Sequence, residues 1–142
     1  MASSYATGAE RWVLAIRWIA AIVFVIFGAG KFVNHASELA SFRHYGLPLP
    51  GAFVHVIGVL EIAGGLLLAR GLLVRAAAVV LAGDMIGAIV VSGIGQGEDI
   101  SLTLAPALLL AMIFLLRASA KDSGLDPRSP ARLRNRSGQD VI

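Results

Sequence analysis

The sequence predicts an all-α membrane protein, a bundle of four transmembrane helices with both termini on the cytoplasmic side. Three observations predict it. Only 15% of the residues are charged and 57% are hydrophobic, against the roughly 25% charged residues of a soluble domain. The apolar residues gather in four blocks, 12–32, 52–73, 76–91 and 100–116, three of which approach the ~20 residues that cross a hydrocarbon core while one falls slightly short. The positive charges fall unevenly between the two ends of those blocks.

Residues 1–11 are small and polar and end at Arg11, with Trp12 behind it as an interfacial anchor. The first block resembles a signal peptide with Gly28-Ala29-Gly30 as a cleavage site, but its apolar run is too long and further spans follow, so it reads as the first helix. At helical spacing Arg17, Ala20, Ala21, Phe24, Gly28 and Lys31 form one small and charged stripe that faces protein. The bulky Ile19, Ile22, Val23, Ile26 and Val33 face lipid.

The first connection, residues 33–51, carries a short amphipathic helix at its centre and ends at Gly46-Leu47-Pro48-Leu49-Pro50-Gly51, where the prolines forbid a continuing helix. The second helix then bears Glu61 in its apolar middle, with Gly58, Gly64 and Gly65 on the same face to admit a neighbouring backbone. Arg70, Gly71 and Arg75 mark its exit. The third helix carries Asp84 between Gly83 and Gly87, a small-residue pair of the kind that supports close packing. Residues 92–99 are glycine-rich, acidic and flexible. The fourth helix runs through Pro106, which kinks it. Residues 118–142 read as a disordered basic tail.

Orientation follows from Arg11, Arg17, Arg70, Arg75 and Arg117, which fall on one side together with the termini and leave Lys31 and Arg43 opposite. That side is cytoplasmic. The pI near 10 is then a consequence of topology and of a tail that meets anionic lipid, and no nucleic-acid partner is implied.

Four charges remain inside the spans. Glu61 and Asp84 lie at equal distances from the turn near Leu72, roughly 12 residues or about 17 Å at ~1.5 Å per residue, which is mid-membrane depth. Two unpaired carboxylates are costly there. The tilt of side chains toward their own helix N-termini favours pairing Arg17 with Asp84 and Lys31 with Glu61. These four residues are the candidate ligand site, with Glu61 and Asp84 the candidates for chemistry. They serve either as a proton relay beside a quinone head group or as ion pairs that only fix helix register. Arg17 also reads as a residue that snorkels to the cytoplasmic interface, and Lys31 as an anchor at the opposite one.

His35, His44 and His55 show no i, i+3 or i, i+4 spacing, so no haem or metal is expected. The chain has no cysteine, which excludes thiol redox chemistry, disulfides and thiolate metal sites of its own.

Arg17, then Gly28 and Lys31, then Gly46-Leu47-Pro48 with Pro50, then Gly58, Glu61, Gly65, Leu68, Gly71 and Arg75 together resemble the DoxX family of small bacterial four-helix membrane proteins, over roughly residues 13–117. The resemblance implies an inner-membrane protein that works as a subunit or partner of a quinone-linked or oxidative-stress redox system. It implies little about a substrate and leaves the cofactor unknown, with a quinone one candidate and a membrane or peripheral redox protein or a second copy of the chain the candidate partners. Two other readings stay open, a structural or assembly protein without chemistry and a small proton-coupled carrier.

Overall fold

A computed structural model describes residues 3–122, which are almost wholly helical. The helices are α1 (Ser3–Val33), α2 (His35–His44), α3 (Pro50–Arg70), α4 (Val74–Ala88) and α5 (Asp99–Asp122), with α4 continued by a π-helical segment, Ile89–Ile94. Four spans are long and apolar enough to cross a membrane: Gly8–Val33, Pro50–Arg70, Val74–Ile94 and Asp99–Ala120. The chain is a multi-pass membrane protein.

Several boundaries differ from those read in the sequence. The expected N-terminal tail is helical from Ser3, because its small residues lie in register with the long apolar run behind them. The third span reaches Ile94 through its π-helical segment, which absorbs part of the expected glycine-rich loop. The expected C-terminal tail starts as helix, since α5 extends to Asp122. Its remainder, 123–142, lies outside the described residues.

The four spans pack as a square in chain order. α1 lies against α3, α3 against α4, α4 against α5, and α5 closes back on α1, while the diagonal pairs α1–α4 and α3–α5 make no close approach. Two turns set this arrangement. Gly71 caps α3 in the left-handed region at φ 69°, with its N–H bonded to the Leu68 carbonyl, a conformation that costs glycine little. Leu49 precedes Pro50, and that proline occupies the first turn of α3, where a missing N–H is harmless.

The tightest seam is α1 on α3. A Cβ at Gly28 would stand 2.8 Å from the Gly58 carbonyl oxygen, and one at Gly65 would stand 2.9 Å from the Ala21 carbonyl oxygen. Only glycine permits backbones that close. Gly64 makes room for Leu81 of α4 in the same way.

The buried core runs through Ala20, Ala21 and Phe24 of α1, Leu68 of α3, Ala77, Ala78, Leu81 and Met85 of α4, and Ala105, Leu108, Met112 and Leu115 of α5. The stripe expected to face protein on α1 does so. Ile19, Ile22, Ile26 and Val33 are exposed on the opposite side, but Val23 is half-buried and turns toward the interior. Gly83 and Gly87 are a second correction, since nothing lies within 4 Å of a Cβ added at either. That small-residue pair packs no helix among the described residues.

Candidate functional site: a charged cavity in the α2 half of the bundle

Lys31 sits at the end of α1 and Glu61 in the middle of α3, both buried, at 9% and 3% exposure. Their side chains lean toward each other, because α1 and α3 are antiparallel and each Cβ tilts toward its own N-terminus. Lys31 Nζ lies 2.8 Å from Glu61 Oε2, the pairing expected from the sequence. Burial on both sides makes this a desolvated ion pair, whose value lies more in fixing the seam than in net stability.

The other expected pair does not form. Arg17 lies at the opposite end of the bundle, where a Cβ on Gly71 would come within 2.9 Å of its Nη1. Its guanidinium follows its own helix toward the α3–α4 turn, and α1 and α4 stand on a diagonal of the square. Asp84 instead faces the ion pair, within electrostatic reach of both Lys31 and Glu61. Its carboxyl group hydrogen-bonds to that of Glu61, while its Oδ2 is buried without a partner of its own. One cation thus serves two carboxyl groups, and the interior holds a three-charge cluster rather than four charges in two pairs.

The cluster forms the floor of a cavity of about 330 Å³. The walls are apolar, with both aromatic and aliphatic side chains, Phe24, Phe27, Phe53, Ile57, Met85 and Leu104 among them. The mouth lies at the α2 end and is polar, lined by Glu38, Ser41, Tyr45, Ser92, Glu98 and Ser101. There the Tyr45 hydroxyl donates to Glu98 Oε2 at 3.3 Å, and the Ser101 hydroxyl donates to the same oxygen at 2.7 Å. Glu98 therefore ties the end of α2 to the start of α5.

The mouth residues were not singled out in the sequence as site residues. Glu98 reads there only as part of an acidic loop. Its signal was local, a carboxylate three residues before Ser101, a spacing at which the two side chains meet on a helix start; nothing in the chain announces that Tyr45, 53 residues away, meets it. The histidines also behave differently from their spacing. His35 and His55 come together with ring centroids 4.7 Å apart, Phe32 meets His55 edge-on at 5.7 Å, and His55 Nδ1 donates to the Gly51 carbonyl at 2.7 Å. The His35–His55 contact joins α2 to the start of α3, and Phe32 brings the end of α1 to the same ring.

The family model of DoxX matches residues 12–93. The chain belongs to the DoxX family. The matched segment carries Lys31, Glu61 and Asp84, and ends before Glu98 and α5. Among curated relatives, the chain is 40% identical over 82 residues to a protein of Mycobacterium tuberculosis (strain ATCC 25618 / H37Rv) named "Uncharacterized membrane protein Rv3486", a match covering 56% of this chain and 50% of that protein. It is 31% identical over 114 residues to a protein of Bacillus subtilis (strain 168) named "Putative oxidoreductase CatD", covering 80% of this chain and 84% of that one. The match thus spans about half the length of the first relative and most of the second. No solved structure matches the chain.

Proposed function

We propose that this DoxX protein holds the head group of a quinone-type carrier on the floor of its cavity, as the membrane subunit or partner of a redox system in the bacterial inner membrane. The observation that carries the reading is Asp84 Oδ2, buried beside the Lys31–Glu61 pair in an apolar-walled cavity and left without a hydrogen-bond partner. A buried oxygen of this kind costs free energy unless something else satisfies it.

The residues suit such a ligand. Lys31 has three N–H donors, of which Glu61 uses one, so donors remain for a ring carbonyl oxygen. Phe24, Phe27, Phe53 and Met85 offer the flat apolar contact a ring requires. A bound quinone would supply the electron-carrying chemistry, and the carboxyl groups beside it the proton exchange.

The protein's own part is to orient and to handle protons. With all three groups ionised the floor carries one net negative charge, and a single proton on either carboxyl group makes it neutral. Neutrality is strongly favoured in hydrocarbon, so the floor is suited to hold one proton at Asp84 or Glu61 and to give it up when a donor or acceptor arrives. Because the chain has no cysteine, electrons come from a partner protein. The relative named as an oxidoreductase supports the same setting. The arginines at the α3–α4 turn end support an orientation with that end, and both termini, in the cytoplasm.

A second reading rests on the α1–α3 seam. The ion pair lies one turn from the Gly28–Gly58 contact, as expected of a scaffold that locks register. Asp84 separates the two, since it serves no such seam. Extraction in mild detergent followed by chromatography of the lipid phase tests the proposal. Wild type retains a quinone and Asp84→Asn, folded normally, loses it. A quinone-free wild type with a stoichiometric protein partner would overturn the proposal in favour of the scaffold.

A further inference from the structure

We propose that the cavity is a half-channel, through which water and protons reach the Lys31–Glu61–Asp84 floor from the α2 end of the membrane and from no other side. The inference rests on the cavity and not on the identity of its ligand. It adds a direction to the site, since every proton the floor takes up or releases is exchanged with one compartment.

The extent of the lining carries the argument. No lining residue precedes Val23 on α1, follows Glu61 on α3, precedes Asp84 on α4 or follows Leu108 on α5. α1 and α4 run toward the α2 end and α3 and α5 run away from it, so all four limits fall at about the same level. The void fills one half of the bundle and stops at the charges.

The two halves differ in chemistry as well. Hydroxyl and carboxyl groups ring the α2 end of the void at Glu98, Ser101, Ser92, Ser41 and Glu38, and charges lie at its floor, with apolar walls between. A void of about 330 Å³ has room for roughly ten waters at ~30 Å³ each, and the polar groups at its two ends give them partners. Below the floor Leu68, Leu81, Met112 and Leu115 are each 1% exposed or less, and Leu81 is seated into the groove left by Gly64. The side chains of that layer offer a proton no hydroxyl or carboxyl group. Arg17 lies beyond it, at the far end against Gly71.

A proton leaving Asp84 or Glu61 therefore passes to water in the cavity and out past Glu98. It does not cross the membrane.

The absence of native cysteine makes the test direct. Single substitutions Ala88→Cys and Ser92→Cys, at the cavity, and Leu81→Cys and Met112→Cys, in the apolar layer, are placed in otherwise wild-type protein. They are reconstituted in liposomes of known orientation and exposed to a membrane-impermeant cationic methanethiosulfonate from each side in turn. The expected result is labelling at positions 88 and 92 from the α2 side only, with none at 81 or 112 from either side. Labelling of 81 or 112 from the arginine-rich side, labelling of 88 equally from both sides, or none at 88 and 92 overturns the proposal. Wild-type liposomes loaded with a pH dye supply a measurement that no substitution can disturb. An external acid step should acidify them no faster than protein-free liposomes, and a protein-dependent proton flux overturns the half-channel. No quinone enters either assay, so failure here and failure of the quinone reading are distinguishable.

Discussion

Lys31 Nζ at the end of α1 lies 2.8 Å from Glu61 Oε2 in the middle of α3, one helical turn from the point where Gly28 and Gly58 bring the same two helices together. Each contact supports the other. The glycines bring the backbones close enough for a buried ion pair, and the pair fixes which turns of the two helices are opposed.

Removing one partner should therefore cost more than removing both. Lys31→Met leaves Glu61 buried and unpaired and should lower stability by about 3–5 kcal/mol, whereas Lys31→Met with Glu61→Gln should recover much of that loss. Denaturation in mixed micelles, followed by circular dichroism, measures both. Equal losses in the single and double variants would mean that the pair carries no coupling.

The seam makes a second prediction. Gly28→Ala sets a methyl 2.8 Å from the Gly58 carbonyl oxygen, forces α1 away from α3, and should cost about 1–3 kcal/mol. Gly30→Ala meets nothing within 4 Å and should change stability by no more than about 0.5 kcal/mol. If the two substitutions prove alike in the same denaturation assay, the close approach is not what holds the seam.

Arg17 and Asp84 should behave as strangers. Exchanging them should rescue neither single variant, because their helices stand on a diagonal and Arg17 packs against Gly71 at the bundle's far end. Gly71→Ala, by contrast, strains a left-handed cap and crowds the guanidinium, and should cost about 1–2 kcal/mol. Recovery of wild-type melting by the exchange would contradict this placement.

Tyr45→Phe removes the hydroxyl that reaches Glu98 across the mouth. The bond is long and exposed, so stability should fall by about 1 kcal/mol or less. The rate of labelling at a Ser92→Cys reporter should nevertheless rise as the mouth loosens. An unchanged rate would show that the bond does not restrain the mouth.

Much of the fold was legible in the chain. Hydropathy marked four spans because hydrocarbon tolerates only helices that satisfy their own backbone, and the Lys31–Glu61 pair followed from helical tilt alone. Helix ends were less legible. Ser3 and Asp122 continue helices past the apolar blocks, since polar residues at the interface extend a formed helix at little cost. Asp84 was found at the right depth but assigned to the wrong cation, because depth along a helix does not say which two helices are diagonal.

By itself, then, the chain determined its solvent, its number of spans and the residues costly enough to need a partner, all of which follow from transfer free energies that act residue by residue. Only the tertiary structure decided that one lysine answers to two carboxyl groups, that Glu98 meets Tyr45 and Ser101 at one end of the cavity, and that the cavity stops at the level of the charges. Those features depend on the order of helices around the square and on gaps between side chains, and neither quantity exists until the helices pack.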